Sequence, residues 1–226
     1  MKLLLDTNVW RRVNTDYIVL KNKLIQKDVE VFLSETVFTL ESDQKESKNG
    51  NKGRLEFFQE ISQNEFGLNP YLQNAINDTQ DLNIKILRAP RIGMPFNVDL
   101  PKEIFYRDRD VHDRMDRMGT IARDFPDAGY EAFKKYIESL NISAPWQTHM
   151  DQISSSEERS FAKAIAEWAD GDTVSACYGY NIDVLCTADR AQNAGTDSIF
   201  SEANTKRLKD EYGLTIKTPD ELTSML

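Results

Sequence analysis

The sequence predicts an α/β fold built on a largely parallel sheet. Four short apolar runs carry that expectation: KLLL (2–5), VEVFL (29–33), IDVLCT (182–187) and LTIKT (214–218). Each is rich in Val, Ile or Leu, as buried strands are, and helix-like segments lie between them. Alternation of the two kinds of segment is the pattern of repeated βα units. NIKILR (83–88) adds a fifth strand candidate.

A chain of 226 residues is long enough to bury a substantial core. Apolar residues make up 40% and charged residues 29%, the composition of an ordinary soluble globular protein. Lys and Arg number 28 against 37 Asp and Glu, a formal charge of −9. That balance argues against broad electrostatic attachment to nucleic acid or to an anionic membrane, while leaving room for a local basic groove. MKLLLD is too short an apolar run for a signal peptide, and no stretch approaches the roughly 20 apolar residues of a membrane span. Cys177 and Cys186 lie in apolar surroundings without metal-site spacing, so they read as buried free thiols in a reducing cytosol. The expectation is a soluble, cytoplasmic protein with no membrane partner.

Between the strand runs the punctuation is legible. DQKESKNGNKGR (43–54) is polar and glycine-containing, a loop or linker signal. RAPRIGMPFNVDLP (88–101) holds three prolines and a glycine, which excludes a continuous helix. YRDRDVHDRMDRMGTIARDF (106–125) mixes both charge signs at close spacing and reads as a solvated helix laced with i, i+3 and i+4 pairs. Its Arg107, Arg109, Arg114, Arg117 and Arg123 are offset by Asp108, Asp110, Asp113 and Asp116, so they read as self-paired rather than as a phosphate-binding patch. SSSEERSFAKAIAEWADGD (154–172) is a helix with a capping box at Ser155 and Glu158, and Phe161, Ile165 and Trp168 form its apolar stripe. Gly171 is expected to break it, so that Asp172 opens a second helix, TVSACYGYN (173–181). The closing segment reads as a helix, a stop at Gly213, a strand, and a last helix opened by Thr218 and Pro219.

Carboxylates fall where such a sheet binds ligands, at the carboxyl ends of strands. Asp6 ends the first strand and Asp189 follows the IDVLCT strand. Asp172 stands on the segment that feeds it. After VEVFL, Ser34 is a candidate N-cap, with Glu35 and Glu41 on the helix it opens. Any one of these acids is explained by helix capping. The set is not, because two unit charges about 4 Å apart repel by roughly 4 kcal/mol at an effective dielectric of 20. Several clustered carboxylates need protons or cations between them. Their hard oxygens suit Mg²⁺ or Mn²⁺, ions that also bind phosphate, and the chemistry expected is metal-assisted phosphodiester hydrolysis.

The ordered set LLLDTNV, SETVFTLE, DGDTVSACYGYNIDVLCTADR and YGLTIKTPDEL resembles the PIN-domain family, which contains the VapC-type toxin ribonucleases. The family's D-[TS]-[NS] motif matches Asp6, Thr7 and Asn8. Its D-x-x-x-A motif matches Asp172 to Ala176, and its T-x-D matches Thr187 to Asp189. The family's Glu, about seven residues beyond a Ser, falls on Glu41. Asp170 is the rival of Asp172, and Glu35 the rival of Glu41.

The resemblance implies a parallel sheet flanked by helices and a four-carboxylate pocket of Asp6, Glu41, Asp172 and Asp189 for cutting RNA. Asp6, Asp172 and Asp189 would hold Mg²⁺ or Mn²⁺, and Glu41 would orient the attacking water. Thr7, Asn8 and Thr187 would aim the carboxylates from behind. It covers residues 1–43 and 156–226; residues 44–155 read as a mostly helical insertion within a single domain. The toxin relatives add an antitoxin-like protein partner and a homodimer to the expectations, beside the RNA substrate. His112 and His149 have no role in this scheme.

Two competitors stand beside it. A haloacid-dehalogenase-like phosphatase also opens with a strand ending in Asp, but needs a second Asp two residues on, where this chain has Asn8. A catalytically inactive PIN-like module, binding RNA or protein through its insertion, would keep the fold without the metal chemistry.

Overall fold

A computed structural model describes residues 1–10, 15–36, 40, 80–90, 102–107, 110–142, 152–189 and 198–226. Its strands are β1 (Lys2–Leu5), β2 (Glu30–Ser34), β3 (Lys85–Leu87), β4 (Val184–Cys186) and β5 (Thr215–Lys217). Its helices are α1 (Thr7–Trp10), α2 (Thr15–Gln26), α3 (Val111–Asp124), α4 (Gly129–Ser139), α5 (Glu158–Gly179), α6 (Glu202–Tyr212) and α7 (Pro219–Met225). Every strand pairing is parallel, in the order β3-β2-β1-β4-β5. All five candidate runs are therefore strands of one sheet.

The register aligns Leu4 with Phe32 on one side and with Leu185 on the other. Because successive side chains point to opposite faces, the Leu triplet of β1 supplies both cores. Leu3 and Leu5 join Val31, Leu33, Val184 and Cys186 beneath Trp10, Leu20, Leu24 and Leu222 of α1, α2 and α7. Leu4 joins Phe32, Leu87 and Leu185 beneath Met118, Ile121, Val174, Cys177 and Leu208 of α3, α5 and α6. Both sheet faces are covered, which is why the strand runs look so uniformly apolar. A third cluster lies between α4 and the first half of α5, where Phe133 stacks on Trp168 at 4.9 Å and meets Phe161 edge-on. The Phe161–Ile165–Trp168 stripe is thus core, against a helix rather than the sheet.

Local signals set most helix ends. Gly213 closes α6 in the left-handed region at φ 70°, a conformation glycine adopts without a Cβ penalty. Thr218 and Glu221 form a reciprocal capping box at the start of α7, with Pro219 in its first turn. Asp110 caps α3 by accepting from Asp113 N at 3.0 Å.

Four expectations need correction. α5 is one helix of 22 residues and does not break at Gly171. A Cβ there would stand 2.3 Å from Gly129 N and 2.7 Å from Gly129 Cα, so the glycine exists to let α4 approach. Asp172 consequently lies inside a helix and does not open one. The capping box read at Ser155 and Glu158 is not formed: Glu157 is the N-cap of α5 without a side-chain cap bond, and its Oε2 accepts instead from Ser154 N (2.9 Å) and Ser154 Oγ (2.5 Å). Finally, α3 is not merely solvated: Arg114, Met118 and Ile121 are buried. Arg114 lies over the Tyr180 ring at 4.9 Å, and Arg117 lies over Tyr178 at 4.1 Å while donating to its carbonyl at 2.9 Å.

The stretch 44–155 supplies more than an appendage. It carries β3, the outer strand of the sheet, and α3, part of the layer over the sheet face. The polar stretch 43–54, Glu41, Asp108, Arg109 and His149 lie outside the described residues, as do 91–101 of the proline-rich run. His112 is exposed on α3.

Candidate active site at the carboxyl ends of β1 and β4

The chain builds outward from β1 to β2 and β3, then returns to the other side of β1 to place β4 and β5. Strand order therefore reverses between β1 and β4, and the crevice at their carboxyl ends is where open α/β sheets bind ligands. Asp6 follows β1 directly and Thr187 follows β4. The ladder continues one step beyond the strands, with Asp6 N donating to Cys186 O at 2.9 Å.

Asp6 is 7% exposed and uses both carboxylate oxygens. Oδ1 accepts from Thr7 N at 2.6 Å, at the start of α1, and Oδ2 accepts the Thr187 hydroxyl at 2.6 Å. One oxygen thus serves the first N–H of α1 and the other the end of β4. Thr187 Oγ1 is the hub: besides donating to Asp6 it accepts from Asn8 Nδ2 (3.1 Å) and from Asp189 N (3.1 Å). A hydroxyl offers one donor and two lone pairs, so its capacity is filled. Asn8 Oδ1 accepts from Ala188 N at 2.8 Å and completes the lock between the two strand ends. Asp189 thereby leaves the network at its backbone and carries its side chain at the surface. Thr7 is buried, but its hydroxyl finds no hydrogen-bond partner among the described residues; its contribution is the backbone N–H.

A second pair of acids lies at the end of β2 and on α5. Glu35 is fully buried after β2, its N bonded to Leu87 O at 2.8 Å and its Oε2 accepting from Ala89 N at 3.0 Å. Asp172 on α5 is 4% exposed, and its Oδ2 accepts from Trp168 Nε1 at 3.1 Å. Burial pushes the Asp172 carboxyl up to about 8; the Trp168 hydrogen bond opposes that shift and the Glu35 charge adds to it. A hydroxyl chain ties these elements together behind the acids: Ser34 Oγ, Thr36 Oγ1 and Thr173 Oγ1 follow one another at 2.8 Å per step. Charge from Asp6 also reaches Cys177, five residues along α5 from Asp172; burial first and Asp6 second push that thiol up. Both cysteines are free and buried.

The structure thus joins Asp6, Asn8, Thr187 and the Asp189 backbone directly, and brings Glu35 within reach of Asp172 electrostatically. Asp170 is only half-buried one turn-fraction away, so Asp172 is the acid that enters the interior. Glu41 lies outside the described residues. Trp168 was read as core alone. Its i, i+4 spacing from Asp172 is a visible signal, but an expected break at Gly171 assigns the two residues to different helices. Gly129 carried no signal at all in the sequence.

No protein-family model, curated protein or solved structure matches this chain.

Chemically, the crevice offers hard carboxylate oxygens, one of them destabilised as an anion by burial, and a buried hydroxyl without a partner beside Asp6. These groups fit a small divalent cation, which would supply the missing positive charge. Among the described residues no three His, Cys, Asp or Glu side chains already converge on one ion-sized point.

Proposed function

We propose that this chain is a metal-dependent ribonuclease of PIN-domain type, hydrolysing RNA phosphodiester bonds at the β1–β4 crevice. The observation that carries the reading is the lock of Asp6 by Thr187 and Asn8, at the point where strand order reverses. The fold's strand order and the buried pair Glu35–Asp172 support it. Asp6, Asp172 and Asp189 would hold Mg²⁺ or Mn²⁺, which supplies water activation and neutralises the leaving oxyanion. Thr187 and Asn8 hold the Asp6 carboxylate in one orientation, so no reorganisation is needed when a ligand arrives. Glu35, held by Ala89 N, acts on Asp172 through its charge. Glu41, the acid that the family resemblance assigns beyond β2, would orient the attacking water. An antitoxin-like protein partner, and toxin function with it, belongs to the same proposal.

The test is a cleavage assay on a mixed RNA pool with Mg²⁺, with Mn²⁺ and with chelator. Cleavage dependent on either ion and abolished by chelator is expected. Cleavage that survives chelation would sink the metal mechanism. Absence of cleavage under all three conditions would leave the inactive binding module as the better reading.

A further inference from the structure

A cavity of about 370 Å³ opens beside Asp172, between the α3–α4 connection and α5. Its size is that of a small-ligand site, roughly 300–1,000 Å³. Ile121, Phe125, Pro126, Pro90 and Ile199 give it apolar walls with Tyr130 beside them, and its polar groups are Ser175, Asp172, Arg123 and the exposed Glu131. Ser175 is 2% exposed, and its Oγ donates to Gly171 O at 2.9 Å. With its proton committed, that hydroxyl can only accept from a ligand. Arg123 lines the same cavity from an exposed position, with Nη2 bonded to Thr120 Oγ1 at 3.1 Å. Asp172 borders the cavity with Oδ1 toward Gly129 while Trp168 holds Oδ2.

We infer that this cavity is the base subsite of the nuclease, seating one unstacked RNA base between the α3–α4 connection and α5 while Arg123 meets the phosphate of that nucleotide. The inference rests on the ribonuclease reading and extends it from the acids to the strand they act on. A nucleobase matches the walls in kind. Its two π faces need apolar or aromatic surface, its edge carries N–H donors for an acceptor-only hydroxyl, and its phosphate needs a cation outside the apolar region. A base seated here brings its strand to the border residue Asp172. An acyl chain matches the apolar walls but leaves Ser175 and Arg123 without a partner from the ligand.

The test is equilibrium binding of adenosine 5′-monophosphate, ribose 5-phosphate and adenosine to the full chain, with chelator present so that metal plays no part. Saturable binding of the mononucleotide is expected, with ribose 5-phosphate at least about tenfold weaker. Ala122→Phe, which fills the cavity from α3, should weaken the mononucleotide at least about tenfold. Arg123→Gln, an exposed change that leaves folding alone, should weaken the mononucleotide but not adenosine. Equal binding of mononucleotide and ribose 5-phosphate overturns the subsite, as does no saturable mononucleotide binding. An Arg123→Gln variant with parental affinity for both ligands overturns the phosphate contact. RNA cleavage without nucleotide binding would remove the subsite and leave the nuclease. Nucleotide binding without metal-dependent cleavage would remove the nuclease and leave the cavity as a nucleotide site.

Discussion

The Thr187 hydroxyl donates to Asp6 Oδ2 at 2.6 Å, joining two residues 181 positions apart at the carboxyl ends of adjacent strands. The same oxygen accepts two further hydrogen bonds, so the geometry of the crevice runs through a single side-chain atom. Thr187→Val keeps the shape and removes all three interactions. A buried polar group left without its partner costs about 1–3 kcal/mol. For a chain of this length that corresponds to a melting temperature lower by roughly 3–10 °C. Calorimetry or circular dichroism checks this, and an unchanged melt would show that the hub is not what holds β1 to β4.

Asp6→Asn should leave the fold intact and reduce metal-dependent RNA cleavage at least about a hundredfold. The amide keeps one of the two acceptor oxygens that Asp6 uses, so the variant melts somewhat lower, and it loses the charge a divalent cation needs. Cleavage at the parental rate would exclude Asp6 from the site.

Asp172 makes stability depend on pH with a definite sign. Its folded-state pKa is raised to about 8 from 3.8, so the folded protein holds this proton more tightly than the unfolded chain. The stabilisation from that proton is complete below pH 3.8, and shrinks as pH rises until it is lost above about 8. Asp172→Asn cannot lose it. At pH 8 the variant should melt above the parent by roughly 5–10 °C, while near pH 4 the two should nearly coincide. Matched melts across that range provide the check; parallel curves would mean that Asp172 titrates normally.

Metal addition should act in the opposite sense on the parent. A divalent cation that binds only the folded state at a hundred times its dissociation constant adds about 2.7 kcal/mol. Mn²⁺ should therefore raise the parental melting temperature by roughly 5–10 °C at pH 8, and raise that of Asp172→Asn less. Equal shifts in both proteins would place the ion elsewhere.

Gly171→Ala tests the approach of α4 to α5. The new Cβ would meet Gly129 N at 2.3 Å, and the obstacle is backbone that no rotamer change can move aside. Overpacking of this kind costs about 3 kcal/mol, so the melt should fall by roughly 6–12 °C. A melt equal to the parent's, or higher, would mean that the helices separate at no cost.

Strands, caps and the Asp6–Asn8–Thr187 set were readable because each rests on local chemistry. A run such as KLLL is apolar on both sides whatever it packs against. Gly213 and Thr218-Pro219 act within one turn of their own backbone. The ordering of Asp6 and Thr187 at strand ends follows once both strands are recognised. Gly171 was misread because a glycine inside a helical pattern means either a stop or a close contact, and only the facing surface distinguishes them. That one choice also hid the Trp168–Asp172 hydrogen bond.

What the sequence by itself determined is the class of fold and the identity of the acids at the strand ends, since hydrophobic pattern and turn chemistry are properties of neighbours along the chain. Tertiary structure alone decided that Glu35 acts on Asp172 and that α5 runs through Gly171 against Gly129. It alone left a cavity beside that carboxyl. Those outcomes depend on which surfaces meet across more than 40 residues of intervening chain, and close packing between distant segments leaves no periodic trace in either one.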